Sequence, residues 1–108
     1  DMGHASTRAA EALARDLQAA YGILAEAAYR RVGISSMNGH TDEAAETVTV
    51  GDFQTMLAFA QAHRLARLTF WSVNRDRPCA AGHSGGDECS GIAQAPYAFS
   101  DIVAQYHG

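Results

Sequence analysis

The chain reads as an α/β protein, and more narrowly as a piece of a parallel sheet amounting to the last third or so of a (β/α)8 barrel. Three observations predict this. Two short, largely apolar stretches, residues 32–37 and 65–73, are separated by a helical stretch of about a dozen residues, which is the spacing of a parallel βαβ unit. A parallel sheet needs helices over both faces or closure into a barrel, and two strands supply neither. At 108 residues the chain is also far short of the ~250 that a complete barrel takes.

The elements follow in order. Residues 6–21 form a helix in which Ala10, Leu13, Leu17, Ala20 and Leu24 recur at intervals of three and four, with Glu11, Arg15, Asp16 and Gln18 facing out. Gly22 marks a bend, and residues 24–30 make a second helical piece. The stretch 32–37 runs into Asn38-Gly39, as a buried strand entering a loop does. Thr49, with Asp52 three residues on, is a weaker variant of the capping box, and Val48 and Phe53 flank it as a hydrophobic staple. The helix over 52–63 gathers Phe53, Met56, Leu57 and Ala60 on one side. Residues 65–73 are the second strand, and 98–106 a final short helix with Ser100 as its candidate cap.

Composition narrows the function classes. The chain is 47% hydrophobic, but much of that is alanine, so bulky core material is scarce and one domain is the upper bound. The formal net charge is −4, and Arg30, Arg31, Arg64, Arg67, Arg75 and Arg77 make no stripe, which argues against a nucleic-acid partner. No run approaches the ~20 apolar residues of a membrane-spanning helix. Asp1-Met2-Gly3-His4 leads straight into the alanine-rich helix, so any export signal is expected to have been removed or to lie elsewhere.

Cys79 and Cys89 bracket a polar, glycine-rich stretch. The better reading is a disulfide-closed loop over 79–89, which implies an oxidising compartment and hence a secreted protein. The weaker alternative is a metal site using Cys79, His83 and Cys89, without a recognised spacing or a fourth ligand. Gly82, Gly85 and Gly86 lack the lysine and the strand-to-helix context of a phosphate loop. The five histidines share no spacing; only His40 follows a strand closely enough to reach a pocket, and solvent is its expected place. Nothing calls for a cofactor.

The segment richest in chemistry runs from Leu68 to Asp76. An apolar strand climbs to Trp71, the only tryptophan, and breaks into a polar cluster. In parallel α/β folds ligands bind at that end of the strands. An indole face covers the apolar C–H face of a pyranose and its N–H donates one hydrogen bond, so a neutral sugar suits it; a lone tryptophan also serves in cores and interfaces. Asn74, Arg75 and Asp76 could contact sugar, but a structural task is the better reading, with Asp76 pairing with Arg75, Arg77 or backbone N–H groups. On residues alone, Asp42 and Glu46 are the carboxylates to test for an acid of raised pKa.

Together the residues resemble the carboxyl-terminal part of bacterial family 18 glycoside hydrolases, the chitinases, most closely the actinobacterial and bacillus-like type. The most specific piece is Leu68-Thr69-Phe70-Trp71-Ser72-Val73-Asn74-Arg75-Asp76-Arg77-Pro78-Cys79. Support comes from Cys89-Ser90-Gly91-Ile92-Ala93-Gln94-Ala95-Pro96-Tyr97-Ala98-Phe99-Ser100. Gly33-Ile34-Ser35-Ser36-Met37 resembles the seventh barrel strand, and Glu46 through Val48-Thr49-Val50 to Asp52 the lead-in to the seventh helix. Met2-Gly3 and the alanine-rich segment resemble the sixth helix. Asn38 and Thr41 depart from the family pattern after the seventh strand, whereas Gly39 and Asp42 fit it.

The resemblance implies that residues 1–108 are a partial catalytic domain carrying strands seven and eight with their flanking helices. It implies substrate-assisted, retaining hydrolysis of β-1,4-linked N-acetylglucosamine polymers, the exception to the usual pair of enzyme carboxylates. Trp71 is then the floor of the sugar subsite and Met37 part of the pocket wall, with Asn38 a weaker candidate contact. The catalytic glutamate belongs to the fourth strand and has no counterpart here, so this chain is expected to be inactive alone. Its expected partners are chitin or N-acetylglucosamine oligosaccharides, and either the rest of the barrel or another copy of itself, because open strand edges invite pairing. The alternatives are a non-catalytic glycan-binding fragment and a structural or interaction fragment with no glycan affinity.

Overall fold

The computed structural model describes residues 1–83 and 85–108. Its elements are α1 (Met2–Tyr21), α2 (Ala25–Tyr29), β1 (Gly33–Met37), β2 (Gly39–His40), β3 (Thr47–Val48), α3 (Val50–His63), β4 (Arg67–Trp71), a 3-10 turn (Val73–Arg75) and α4 (Ala98–Val103).

Helix α1 starts earlier than its periodicity predicts because Asp1 caps it, its carboxylate accepting the backbone N–H of His4. It ends at Gly22, which takes the left-handed conformation (φ 61°) that glycine reaches without a steric penalty. The buried face corrects the sequence reading: Gly3, Thr7, Ala10 and Ala14 face inward, whereas Leu13 and Leu24 are exposed. At Gly3 the close approach of α3 excludes a side chain. A Cβ on Gly3 would lie 2.9 Å from the Cα of Asp52, so only a bare backbone fits there.

The capping box at Thr49 forms as its residues predict, and α3 accordingly starts at Val50 rather than at residue 52. The Thr49 hydroxyl accepts the Asp52 N–H at 3.0 Å, and the Asp52 carboxylate accepts the Thr49 N–H at 2.8 Å. Asp52 also accepts the Gly3 N–H at 3.1 Å, so one carboxylate ties together the starts of two helices. Val48 and Phe53 are both fully buried beside this cap.

Strands β1 and β4 pair in parallel, with Gly33 opposite Arg67 and Met37 opposite Trp71. The alternation of a strand then sorts the side chains. Ile34, Leu68 and Phe70 face the helical layer, where Phe53 meets Phe70 and Phe99 edge to face at 5.9 and 5.2 Å. Gly33, Ser35, Arg67, Thr69 and Trp71 are exposed, with Met37 half-buried among them. Among the described residues, helices therefore cover one face of the sheet and leave the other bare. The proportions agree: the extents are 53 × 27 × 18 Å and the radius of gyration is 14.9 Å, against about 13 Å for a rounded domain of this length. The described residues form a two-stranded parallel sheet and no closed barrel.

Three further expectations are corrected. The second strand stops at Trp71 and gives way to the 3-10 turn, rather than continuing to Val73. The loop after Met37 contains a small antiparallel pair, β2 with β3. Gly39 in that pair has φ 75°, and a Cβ there would stand 2.2 Å from the Ser90 carbonyl oxygen. Finally, Ser100 does not cap α4, which is held by Asp76 instead.

Candidate functional site

The parallel register brings Met37 and Trp71 side by side at the carboxyl ends of their strands, on the bare face of the sheet. Trp71 is 59% exposed, a large indole surface held out at a strand end. The next peptide, Trp71–Ser72, is cis.

Asn38, a candidate sugar contact by sequence, is fully buried. Its backbone N–H donates to the Trp71 carbonyl at 3.0 Å. Its side-chain oxygen accepts the Ser72 N–H at 3.0 Å, and its side-chain nitrogen donates to the Ser72 carbonyl at 3.2 Å. The amide therefore binds protein, and a direct sugar contact is corrected by its burial.

Arg75 is nearly fully buried, yet among the described residues no carboxylate pairs with it. Its Nε donates to the Asn38 side-chain oxygen at 3.2 Å and its Nη2 to the Asn38 carbonyl at 2.7 Å. Further bonds run from Nη2 to the His40 carbonyl and from Nη1 to that of Gly86. A buried cation is tolerable when its donors are satisfied, and here oxygens of three residues on two segments do so.

Asp76 is fully buried and turns the other way. Oδ1 accepts the Gln94 side-chain amide at 2.8 Å and the Phe99 N–H at 3.1 Å; Oδ2 accepts the Ser100 N–H at 2.7 Å and its hydroxyl at 2.6 Å. These donors, not Arg75 or Arg77, are its partners. Asn74 stands exposed on the turn and joins neither network.

Cys79 and Cys89 form a disulfide, with Cα atoms 5.0 Å apart. That disposes of the metal alternative, since both thiols are consumed. Among the described residues no group of three or more His, Cys, Asp or Glu is placed to hold a metal ion. His40 is exposed, its ring Nδ1 lying 3.1 Å from the Thr47 hydroxyl.

Asp42 and Glu46 line an open cavity of about 310 Å³ with Met2, Ser36, Met37 and Glu43. Glu46 accepts a long hydrogen bond, 3.4 Å, from the Thr41 hydroxyl, and Asp42 is exposed. Among the described residues the buried carboxylates Asp52 and Asp76 both bind the chain's own donors, Asp52 two backbone N–H groups and Asp76 four donors. Sequence reasoning missed the Asn38–Arg75 pairing, for which no local pattern exists across 37 residues.

The architecture is that of an α/β sheet segment presenting an aromatic platform at the carboxyl end of a parallel strand. Comparison with known proteins makes this more specific. No family model matches the chain, and no curated protein does. Solved structures do: the catalytic domain of a hyperthermophilic chitinase from Pyrococcus furiosus aligns with a TM-score of 0.86 and 27% identity, over 95% of this chain and 34% of that one. Catalytic-site mutants of active domain 2 of a thermostable chitinase from the same organism, complexed with chito-oligosaccharides, align with the same values. This chain thus spans about a third of the solved chains it matches. Its fold is similar to part of a chitinase catalytic domain. The resemblance to a bacterial chitinase is corrected, because the matching structures are archaeal. A strand ending in tryptophan before a cysteine-closed loop is a feature of the fold, and the fold does not mark lineage.

Proposed function

We propose that this chain is part of a chitinase catalytic domain and supplies one wall of the cleft that binds N-acetylglucosamine polymers, without the acid that protonates the glycosidic oxygen. The observation that carries this reading is Trp71, its indole exposed beside Met37 at the carboxyl ends of two parallel strands, on the face that no helix covers. Its likeness to chitinase catalytic domains supports the same reading. In this proposal β1 and β4 are the last two strands of a (β/α)8 barrel, and the bare face is part of its interior. Trp71 stacks on the apolar face of the sugar at the cleaved linkage and Met37 lines the wall. Hydrolysis is substrate-assisted: the substrate's acetamido oxygen attacks the anomeric carbon and a glutamic acid outside these residues protonates the leaving oxygen. Engagement of Asp52 and Asp76 by internal donors favours locating that acid elsewhere. The disulfide fits a secreted enzyme.

The test is hydrolysis of a fluorogenic chitobiose substrate by the 108-residue chain, together with titration of Trp71 fluorescence by chitotetraose, with Trp71→Ala as the hydrolysis control. The expected result is a saturable fluorescence change without turnover. Turnover lost in Trp71→Ala would place an acid within the chain, with Asp42 and Glu46 the first to substitute. An indifferent fluorescence signal from a folded chain would refute the sugar-binding reading and leave a structural fragment.

A further inference from the structure

The geometry points to Asn38, locked by Arg75, as the positioning residue that sets the orientation of Trp71. The inference rests on the reading of Trp71 as a sugar platform, but its physical basis is independent of any ligand. Strand β4 ends at Trp71, and the 3-10 turn begins only at Val73. The peptide between them would otherwise be the loose joint of the platform. Asn38 holds both polar atoms of that peptide, its backbone N–H on the Trp71 carbonyl and its side-chain oxygen on the Ser72 N–H. A third bond takes the Ser72 carbonyl.

Such a clamp works only if the amide cannot flip. Arg75 prevents that: its Nε is a donor, so the Asn38 atom facing it must be oxygen, and the same oxygen then receives Ser72. Arg75 is in turn fixed by the carbonyls of Asn38, His40 and Gly86. Burial of Asn38 and Arg75 shields their mutual bond from competing water. Orientation thus passes from the loop closed by the disulfide, through Arg75, to Asn38 and then to the tryptophan backbone. A stacking platform loses binding steeply when tilted, since dispersion needs the two faces at contact distance.

Trp71 is the sole tryptophan, so fluorescence of the whole chain reads this site directly. The experiment compares wild type, Asn38→Ala, Asn38→Asp and, as a control, Ile102→Val in the distant α4 core, at matched fraction folded by circular dichroism. Readouts are the anisotropy of Trp71 without ligand and its affinity for chitotetraose. Asn38→Ala is expected to lose anisotropy and about tenfold in affinity, a loss comparable to one or two buried hydrogen bonds. Asn38→Asp keeps an acceptor for both Ser72 and Arg75 and should restore most of the anisotropy. Ile102→Val should change neither readout. Unchanged anisotropy in Asn38→Ala would overturn the inference; if that variant fails to fold, Asn38→Asp with wild-type stability and loosened Trp71 would do so too. Loss of anisotropy in a series whose wild type ignores chitotetraose would uphold the positioning role and remove the sugar reading alone.

Discussion

Replacing Asp76 by alanine would take away an acceptor for four donors at once, from Gln94, Phe99 and two groups of Ser100. The two backbone N–H groups belong to the first turn of α4, whose cap residue Tyr97 offers no side-chain bond of its own. Phe99 is fully buried, so its N–H would have no water to turn to. An unsatisfied buried donor costs about 1–3 kcal/mol, and bonds to a charged acceptor are worth about 1.5–3 each. Allowing for relaxation of the two side-chain donors toward solvent, the loss comes to about 3–5 kcal/mol. A domain of this length has roughly 5–15 kcal/mol in total, so the substitution would bring it near unfolding. The assay is urea denaturation followed by circular dichroism, with the midpoint expected to fall by about 2 M or more at the slope typical of this size. Asp76→Asn, which keeps one oxygen acceptor, should fall between wild type and alanine. A midpoint in Asp76→Ala within about 0.5 M of wild type would show that α4 does not depend on this carboxylate.

Two other expectations concern the periphery. Burial pushes the Tyr106 phenol above its ordinary value, and its hydroxyl donates to the Leu65 carbonyl. The folded state therefore holds this proton more tightly than the unfolded chain, a contribution complete below pH about 10 and lost as pH rises through the higher folded value. The stability gap between wild type and Tyr106→Phe should accordingly narrow above pH 10, and a constant gap up to pH 12 would exclude this linkage. Reduction of Cys79–Cys89, separated by 10 positions, should lower stability by about 2–3 kcal/mol on chain-entropy grounds. A melting temperature indifferent to dithiothreitol would contradict it.

What could be read along the chain was whatever is decided within a few residues. The Thr49–Asp52 cap, the stop at Gly22, the inward set Phe53, Met56, Leu57 and Ala60, and the parallel pairing of two strands across one helix all follow from local chemistry and period. So did Trp71, because a strand's carboxyl end is a property of chain direction. Reading failed where a partner from far along the chain chooses. In α1 the exposed Leu13 was a stronger hydrophobic signal than Gly3, Ala10 or Ala14, yet these small residues are the buried ones, and at Gly3 the backbone of α3 comes too close for any side chain. Ser100 looked like a cap, but a carboxylate 24 residues upstream reaches α4 first. Asn38 looked like a surface contact and Arg75 like a partner for Asp76; folding set them against each other instead, because a buried guanidinium must be surrounded by oxygens and the chain crossing supplies them. The sequence alone thus determined the main helices and the two parallel strands, their direction and the aromatic residue at the end of β4. Only the tertiary structure decided which polar groups are buried together, since each such group is settled by where its counterpart lies in space.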